Sequence, residues 1–580
     1  MKKVLVLFLV IVCPIISLSA KDIKIVAKTD VHGSFFPYDF INDKPLSGSL
    51  ARVMTYLRVE REKYGENLIY VDNGDMLQGQ PTAYYYNTVD TLCPHLANRM
   101  LNYMGCRVAT IGNHDVETGP KTYNRYIRDA QYTLLGANII KSGTTSPFIN
   151  PYKILNVDGK RIAFLGMITP AIPSWLPKNL WPDIEFADMV VTAKKWIAHL
   201  RQNEKPDLII GVFHSGEKGG ITTPAYSENC VEAVVREVVG FDAVIYGHDH
   251  RMKESVIVNS KGRSIPVIDS ANAANYVMTL TISDAENGGY NIKSELVSVR
   301  DLTPDADFMA KFADDMETVK QYVSKRIGTF TRTIDLKDAY FGSCAFIDLI
   351  HKVQLDITHA DVSITSPLSF SAKIDSGDVY VRDMFKLYKY ENLLYTMRLT
   401  GKEIKGLLEM SYDQWICTMK TPDDAFLLFE TDAKSVGSSD KQGAGNGRAH
   451  FKNACYNFDS AAGILYEVDV TKEKGSRVNI KSLADGRPFG LNATYRVAIN
   501  SYRGNGGGEL LTLGAGIDKD ELLNRIESST ERDLRFYLMQ YIEKEGTITP
   551  ASFDNWRFVP ESMTKKAIAR DYRLLFGNSK

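Results

Sequence analysis

Between residues 23 and about 299, short apolar or β-branched runs alternate with longer stretches whose apolar positions recur every three to four residues. The runs at 23–27, 68–71, 107–111, 161–165, 207–213 and 242–246 are continuously apolar enough to be strands buried on both faces. Helical periodicity fills Leu50–Tyr64 and 187–202 between them. This alternation predicts a layered α/β domain over 22–300. Phe308, Phe312, Met316, Val319, Tyr322 and Val323 then recur at helical spacing with Asp and Lys opposite, which predicts one amphipathic helix over 304–326 as the 301–327 connector. Mixed strand and helix signals over 328–550 predict a second, α+β domain. Its local landmarks are a helix start at Gly401-Lys-Glu-Ile-Lys-Gly406, a Gly-rich loop at 437–447, and Gly504-Asn-Gly-Gly-Gly508. The tail at 551–580 carries Arg and Lys among apolar residues and predicts a terminal helix.

Bulk properties narrow the function classes. A chain of 580 residues exceeds one ordinary core, in keeping with two domains. Lys plus Arg total 69 against 70 for Asp plus Glu, so no net field draws the protein to a nucleic-acid polymer or a membrane surface. An anionic substrate must be held by local metals or arginines instead. Lys2 and Lys3, the apolar run 4–16 and the small residues Ser17-Leu-Ser-Ala20 form the pattern of a secretory signal over 1–20, cleaved near Ser19 or Ala20. The apolar run is short of the ~20 residues a membrane span needs, and Pro14 interrupts it. An exported chain, periplasmic or cell-surface and without a transmembrane span once mature, is expected. Of seven cysteines, Cys13 leaves with the signal and the other six show no C-x-x-C spacing, against zinc ribbons and thioredoxin-like chemistry. No pattern here fixes disulfide pairing or oligomeric state.

Candidate chemistry follows the strand-like runs. Asp30-Val-His32, Gly74-Asp75, Gly112-Asn113-His114-Asp115, His214-Ser-Gly216 and Gly247-His248-Asp249-His250 each stand just beyond one of them. Open α/β sheets place ligands at these C-terminal strand ends. Taken singly, an Asp-x-His pair is more often a cap or ion pair, and Gly-Asn-His-Asp reads equally well as a turn. Jointly the motifs contain five of the ten histidines. Carboxylate, imidazole and amide donors with no thiolate suit zinc, manganese, iron or cobalt. Two adjacent divalent metal ions so held are a device for hydrolysing phosphate esters. Asp30 and His32 share one side of a strand end, Asp75 can bridge, Asn113 offers a neutral amide oxygen, and His248 and His250 can reach different ions.

These motifs resemble those of the calcineurin-like metallophosphoesterase family, and residues 23 to about 550 are similar to the 5'-nucleotidase superfamily within it. The resemblance implies a layered α/β-β-α metal domain, a helical linker and a mixed α+β nucleotide-binding domain. It implies Asp30, His32 and His250 on one ion, Asn113, His214 and His248 on the other, and Asp75 between them. It gives His114 the part of stabilising the transition state and assisting the leaving group, with Glu117 orienting it where the family has Asp. The family more often has Gln or Asn at the position of His250. A nucleotide substrate is implied as well. The 5'-nucleotidase branch carries an Asn-Gly-Gly-x-Arg-type loop where this chain has Ser363-Ile-Thr-Ser-Pro-Leu-Ser-Phe370, with no arginine. Tyr456-Asn-Phe458-Asp459, the run 463–471, and Asn500-Ser-Tyr502-Arg503 with Gly506-Gly507 are similar to the 2',3'-cyclic-nucleotide phosphodiesterase/3'-nucleotidase branch. Phe458 and Tyr502 are the candidates to sandwich a base, and Arg503 to contact sugar or phosphate. Both aromatics read nearly as well as core residues, and Arg503 as an ion-pair partner. A 5'-nucleotidase or nucleotide-sugar hydrolase, a relative acting on another anion such as a thiosulfate derivative, and a catalytically silent surface nucleotide-binding protein remain the alternatives.

Overall fold

The computed structural model describes residues 22–286, 288–430 and 449–577. The predicted signal at 1–20, with Cys13, and the Gly-rich stretch at 437–447 lie outside the described residues.

Two six-stranded sheets make the first domain. In one, Ile23–Lys28, Leu68–Asp72, Cys106–Thr110 and Thr133–Leu135 run parallel, and Tyr276–Asp284 and Tyr290–Ser298 extend it antiparallel. In the other, Lys160–Ile168, Leu208–His214, Ala243–Tyr246 and Ser264–Ser270 run parallel between antiparallel edges Tyr152–Val157 and Met252–Val258. The sheets pack face to face through Ile25, Ile69, Val108, Phe164, Ile210 and Ile245. Helices cover the outer faces: Leu50–Tyr64, Leu96–Tyr103 and Pro120–Asp129 on the first sheet, Met189–His199 and Val231–Glu237 on the second. This double cover explains the unbroken apolar runs, since every residue of Leu208–His214 is buried.

The connector is two helices, Ala306–Lys311 and Ala313–Val323, where the periodicity predicts one. The break is at Phe312 (φ −113°, ψ 20°). There Phe308 and Phe312 lie 4.9 Å apart and both meet the ring of Tyr103, so the chain bends to bury two phenyl groups in the first domain's core.

The second domain centres on a five-stranded sheet ordered Ser460–Ala462, Val362–Thr365, Thr494–Asn500, Leu394–Thr400 and Ile526–Ser529. Helix Gly401–Trp415 packs on the face that carries Ile364, Met397 and Val497, and helix Ala345–Thr358 on the face that carries Ala498. The first of these starts at a capping box, in which Thr400 accepts from the Glu403 amide and Glu403 from the Thr400 amide. Residues 551–577, predicted as part of a tail, are built into this domain. Trp556–Val559 pairs in parallel with Ile464–Asp469, Trp556 stacks on Tyr466 at 5.7 Å, and helix Glu561–Phe576 follows. Among the described residues no helix is long and apolar enough to cross a membrane.

The domains meet across a cleft above the strand ends. Tyr84 donates to the Asp533 carboxylate at 3.1 Å, and the Arg535 guanidinium covers the rings of Tyr84 and Phe385 at 4.8 and 4.1 Å.

Candidate active site

Every predicted metal ligand sits at the C-terminal end of a parallel strand, on loops that are bonded to one another. Asp30 N–H donates to Gly74 O at 3.0 Å and His32 N–H to Asp75 O at 2.9 Å. Buried Asp115 accepts the amides of Gly112, Asp75, Met76 and Leu77 at 2.8–2.9 Å, which pins the second and third loops together. A Cβ at Gly112 would collide with the Asp75 carboxylate, so only glycine fits there. Asp30, His32, Asp75, His248 and His250 all have φ between 48° and 85°, the left-handed region that costs a non-glycine residue energy. Such strain persists where the surroundings over-determine it, as at a ligand clamp.

The donor atoms converge. One ligand atom from each of Asp30, His32, Asp75 and His250 lies within 4.8 Å of the others. Asp30 Oδ1, Asp75 Oδ2 and His214 Nε2 are buried without a hydrogen-bond partner, and His214 Nε2 stands 3.2 Å from Asp75 Oδ2. The outward nitrogens set the tautomers. His214 Nδ1 donates to Asn73 O at 2.6 Å, leaving the Nε2 lone pair toward Asp75. His32 Nδ1 donates to Gln78 Oε1 at 3.1 Å, leaving Nε2 facing His250 Nε2 at 3.0 Å. His248 Nε2 donates to the Glu228 carboxylate at 3.1 Å, so its Nδ1 lone pair faces Asn113 Oδ1 at 2.8 Å. Lone pairs held this close to one another, with buried orphan carboxylate oxygens between them, fit divalent cations. Electrostatics agree. Burial disfavours an imidazolium at His214, yet Asp75 and Asp30 raise it to about 10, so a proton at Nε2 takes up the lone pair wherever no cation does and the pocket demands positive charge.

His114 stands beside this cluster, its ring 5.4 Å from that of His32 and its amide donating to Asp75 Oδ1 at 2.9 Å. Glu117, despite its extra methylene, reaches His114 Nδ1 at 2.5 Å. Burial opposes protonation of His114, but Asp75 and Glu117 outweigh it and raise the imidazole to about 9. The His114–Glu117 pair lines a cavity of about 400 Å³ between the domains, with His248 and His250 in its floor and Tyr456 and Tyr502 in its opposite wall.

Comparison with known proteins finds two family models along the chain. Residues 23–252 match the model of the calcineurin-like phosphoesterase family, and residues 324–514 that of the 5'-nucleotidase C-terminal domain. The chain belongs to the 5'-nucleotidase superfamily. It is 26% identical over 611 aligned positions to a 2',3'-cyclic-nucleotide 2'-phosphodiesterase/3'-nucleotidase of Haemophilus influenzae, covering 93% of this chain and 88% of that one. A protein of the same description from Yersinia enterocolitica is 24% identical, with 92% and 88% covered. The structure of a putative 5'-nucleotidase from Staphylococcus aureus superposes with a TM-score of 0.76 at 21% identity, over 93% of this chain and all of that one. The superfamily member described here is a metal-dependent phosphoester hydrolase.

Within this superfamily member, the second domain differs from the sequence expectation at two residues. Phe458 is fully buried and stacks on Trp415 at 5.4 Å with the rings 4° from parallel, so it is a core residue and does not face the cavity. Arg503 is 1% exposed, paired with Asp459 at 2.7 Å and donating to Tyr456 O and Gly507 O. It supports the cavity wall from behind. Tyr502 does line the cavity, and the ring is packed so closely that a Cβ at Gly507 would stand 2.6 Å from it. Tyr456 stands in the wall beside Tyr502 instead, its carbonyl held by Ser366 Oγ at 2.9 Å. Its ring meets that of Tyr502 edge to face (6.3 Å, 89°), so the two do not form the parallel sandwich expected of Phe458 and Tyr502. Tyr456 lies in the 3₁₀ turn Cys455–Asn457, two residues before the core aromatic Phe458, and was within reach of a periodicity argument. Trp175, 5.7 Å from His248, was also missed. Its signal was a tryptophan between Pro173 and Pro177 just past a strand end. Among the described residues the cavity takes one guanidinium, Arg251, from the metal domain.

Proposed function

We propose that the protein is an exported phosphohydrolase of nucleotides that works with two divalent ions, zinc, manganese, iron or cobalt, and acts on 2',3'-cyclic nucleotides and 3'-nucleotides. The observation that carries this reading is that the ligand cluster and His114 open into one cavity whose far wall is Tyr456 and Tyr502. The descriptions of the Haemophilus and Yersinia relatives support the choice of ester. So does the sequence 363–370, which brings no arginine to the cavity.

In this reading Asp30, His32, Asp75 and His250 hold one ion, and Asp75, Asn113, His214 and His248 the other. Bound ions of this kind supply Lewis acidity and a water acidic enough to attack phosphorus near neutral pH. The chain's own groups do the rest. Asn113 and protonated His114 stabilise charge that spreads over the phosphoryl oxygens. His114, kept cationic by Glu117, hands its Nε2 proton to the departing sugar oxygen. Tyr502 offers its ring to the π-face of the base, a contact that tolerates any base, with Tyr456 set edge-on beside it.

Phosphate release from 2',3'-cyclic AMP, 3'-AMP, 5'-AMP and a nucleotide sugar tests the proposal. Turnover of the first two, abolished by a chelator and restored by added ions, is expected. Turnover restricted to 5'-AMP or to the nucleotide sugar would overturn the choice of ester.

A further inference from the structure

Glu228 belongs to none of the motifs above, yet it touches the metal centre from a hairpin of the phosphoesterase domain. The hairpin pairs Gly219–Thr222 with Ser227–Asn229. Glu228 Oε1 accepts from His248 Nε2 at 3.1 Å, while Oε2 accepts the Ile221 amide at 2.7 Å. The carboxylate is therefore clamped at both oxygens and 16% exposed. Its own carbonyl accepts from Ser215 Oγ at 2.8 Å and Thr169 Oγ1 at 2.9 Å. One residue thus ties the His248 ring to the segment that follows His214.

We propose that Glu228 is the positioning residue for the second cation: its carboxylate fixes His248 as the Nε2–H tautomer and aims the Nδ1 lone pair at the place shared with Asn113 Oδ1. The inference rests on the two-ion reading above. A carboxylate can only accept, so a neutral His248 bonded to it has its one proton on Nε2. An imidazole whose second nitrogen is bonded to a carboxylate is also a more basic ligand, and losing such a partner costs about 10- to 100-fold in metal affinity. The outer nitrogen of His32 meets the neutral amide of Gln78 instead of a carboxylate. The effect of Glu228 is therefore confined to one ion of the two.

Titration of the metal-free, full-length protein with manganese(II), read by calorimetry and by the electron paramagnetic resonance of the bound ion, tests this. The wild-type chain is expected to take two ions with a spin-coupled spectrum. Glu228→Ala should weaken one ion by about 10- to 100-fold, leave the other within threefold, and convert the spectrum to that of an isolated ion at intermediate manganese. Glu228→Gln should fall between, since one amide oxygen can serve His248 or Ile221 but not both. Asn229→Ala, which removes only the bond from the Gly216 amide to the same hairpin, should leave both ions within threefold. Unchanged affinities in Glu228→Ala, equal weakening of both ions, or the same loss in Asn229→Ala would overturn the assignment. Should Glu228→Ala fail to fold, the Gln variant decides by the same criterion. A wild-type chain that takes a single ion would overturn the two-ion reading itself, before any variant is made.

Discussion

The two domains present their functional groups in opposite ways. In the phosphoesterase domain the groups sit on the loops themselves, at five parallel strand ends, with Asp30, His32, Asp75, His248 and His250 on left-handed backbone. In the second domain the groups that face the cavity, Tyr456 and Tyr502, are ordinary side chains whose direction is set by what is packed behind them. Arg503 holds the Tyr456 carbonyl, Gly507 presses on the Tyr502 ring, and Phe458 anchors the same turn through Trp415. A ligand set is therefore a local property of backbone turns, whereas a binding wall is a collective property of a core.

Variants should expose this difference. The largest effect is expected from His114→Ala, which should lower kcat by about 10²- to 10⁴-fold with little change in KM, seen in steady-state phosphate release. Phe458→Ala should instead cost about 3–5 kcal/mol of stability, measured by denaturant unfolding. Its nucleotide KM should move only as far as Tyr456 shifts. Tyr502→Ala should do the reverse. It should keep stability nearly intact and weaken nucleotide binding by about 1–3 kcal/mol, the worth of one base stack. Similar stability losses in the two aromatic variants would erase the distinction between wall and support.

The smallest effect concerns the cleft between the domains, where Glu391 lies 3.8 Å from Arg535. Burial raises Glu391 to about 8, Arg535 opposing and Asp533 and Glu117 adding to the rise. The folded chain thus holds a proton that the unfolded chain, with an ordinary value of about 4.3, releases. The stability linked to this group is complete below about pH 4 and is lost as pH rises through about 8. Glu391→Gln should flatten the dependence of Tm on pH, with the variant gaining on the wild type toward pH 9. A parallel pair of Tm curves would show that Glu391 is ionised in the folded state throughout.

The same contrast explains what could be read from the chain before folding. Strands buried on both faces, such as Leu208–His214, announce themselves as apolar runs, and the ligands follow within two or three residues. The half-buried antiparallel strands Met252–Val258 and Tyr290–Ser298 are interleaved with polar positions and gave no such signal. Asp115 lay in a motif, but three of the four amides it gathers, those of Asp75, Met76 and Leu77, are on a loop 38 to 40 residues away in sequence, beyond any local pattern. Phe458 and Tyr456 are two residues apart in one aromatic turn, and only the packing of Trp415 decides which of them turns inward. Arg503 next to Tyr502 looked like a ligand group because its partner, Asp459, is 44 residues earlier in the chain.

The central claim is that the phosphoesterase domain performs the chemistry and the second domain chooses the ester. It is tested most directly by measuring kcat/KM of wild type, His114→Ala and Tyr502→Ala side by side on 3'-AMP and on glycerol 2-phosphate, a small ester with no base. The account predicts that His114→Ala lowers both substrates by a similar factor, whereas Tyr502→Ala lowers 3'-AMP about tenfold or more and leaves the small ester unchanged. Equal losses on both substrates in Tyr502→Ala, or undiminished turnover in His114→Ala, would contradict it.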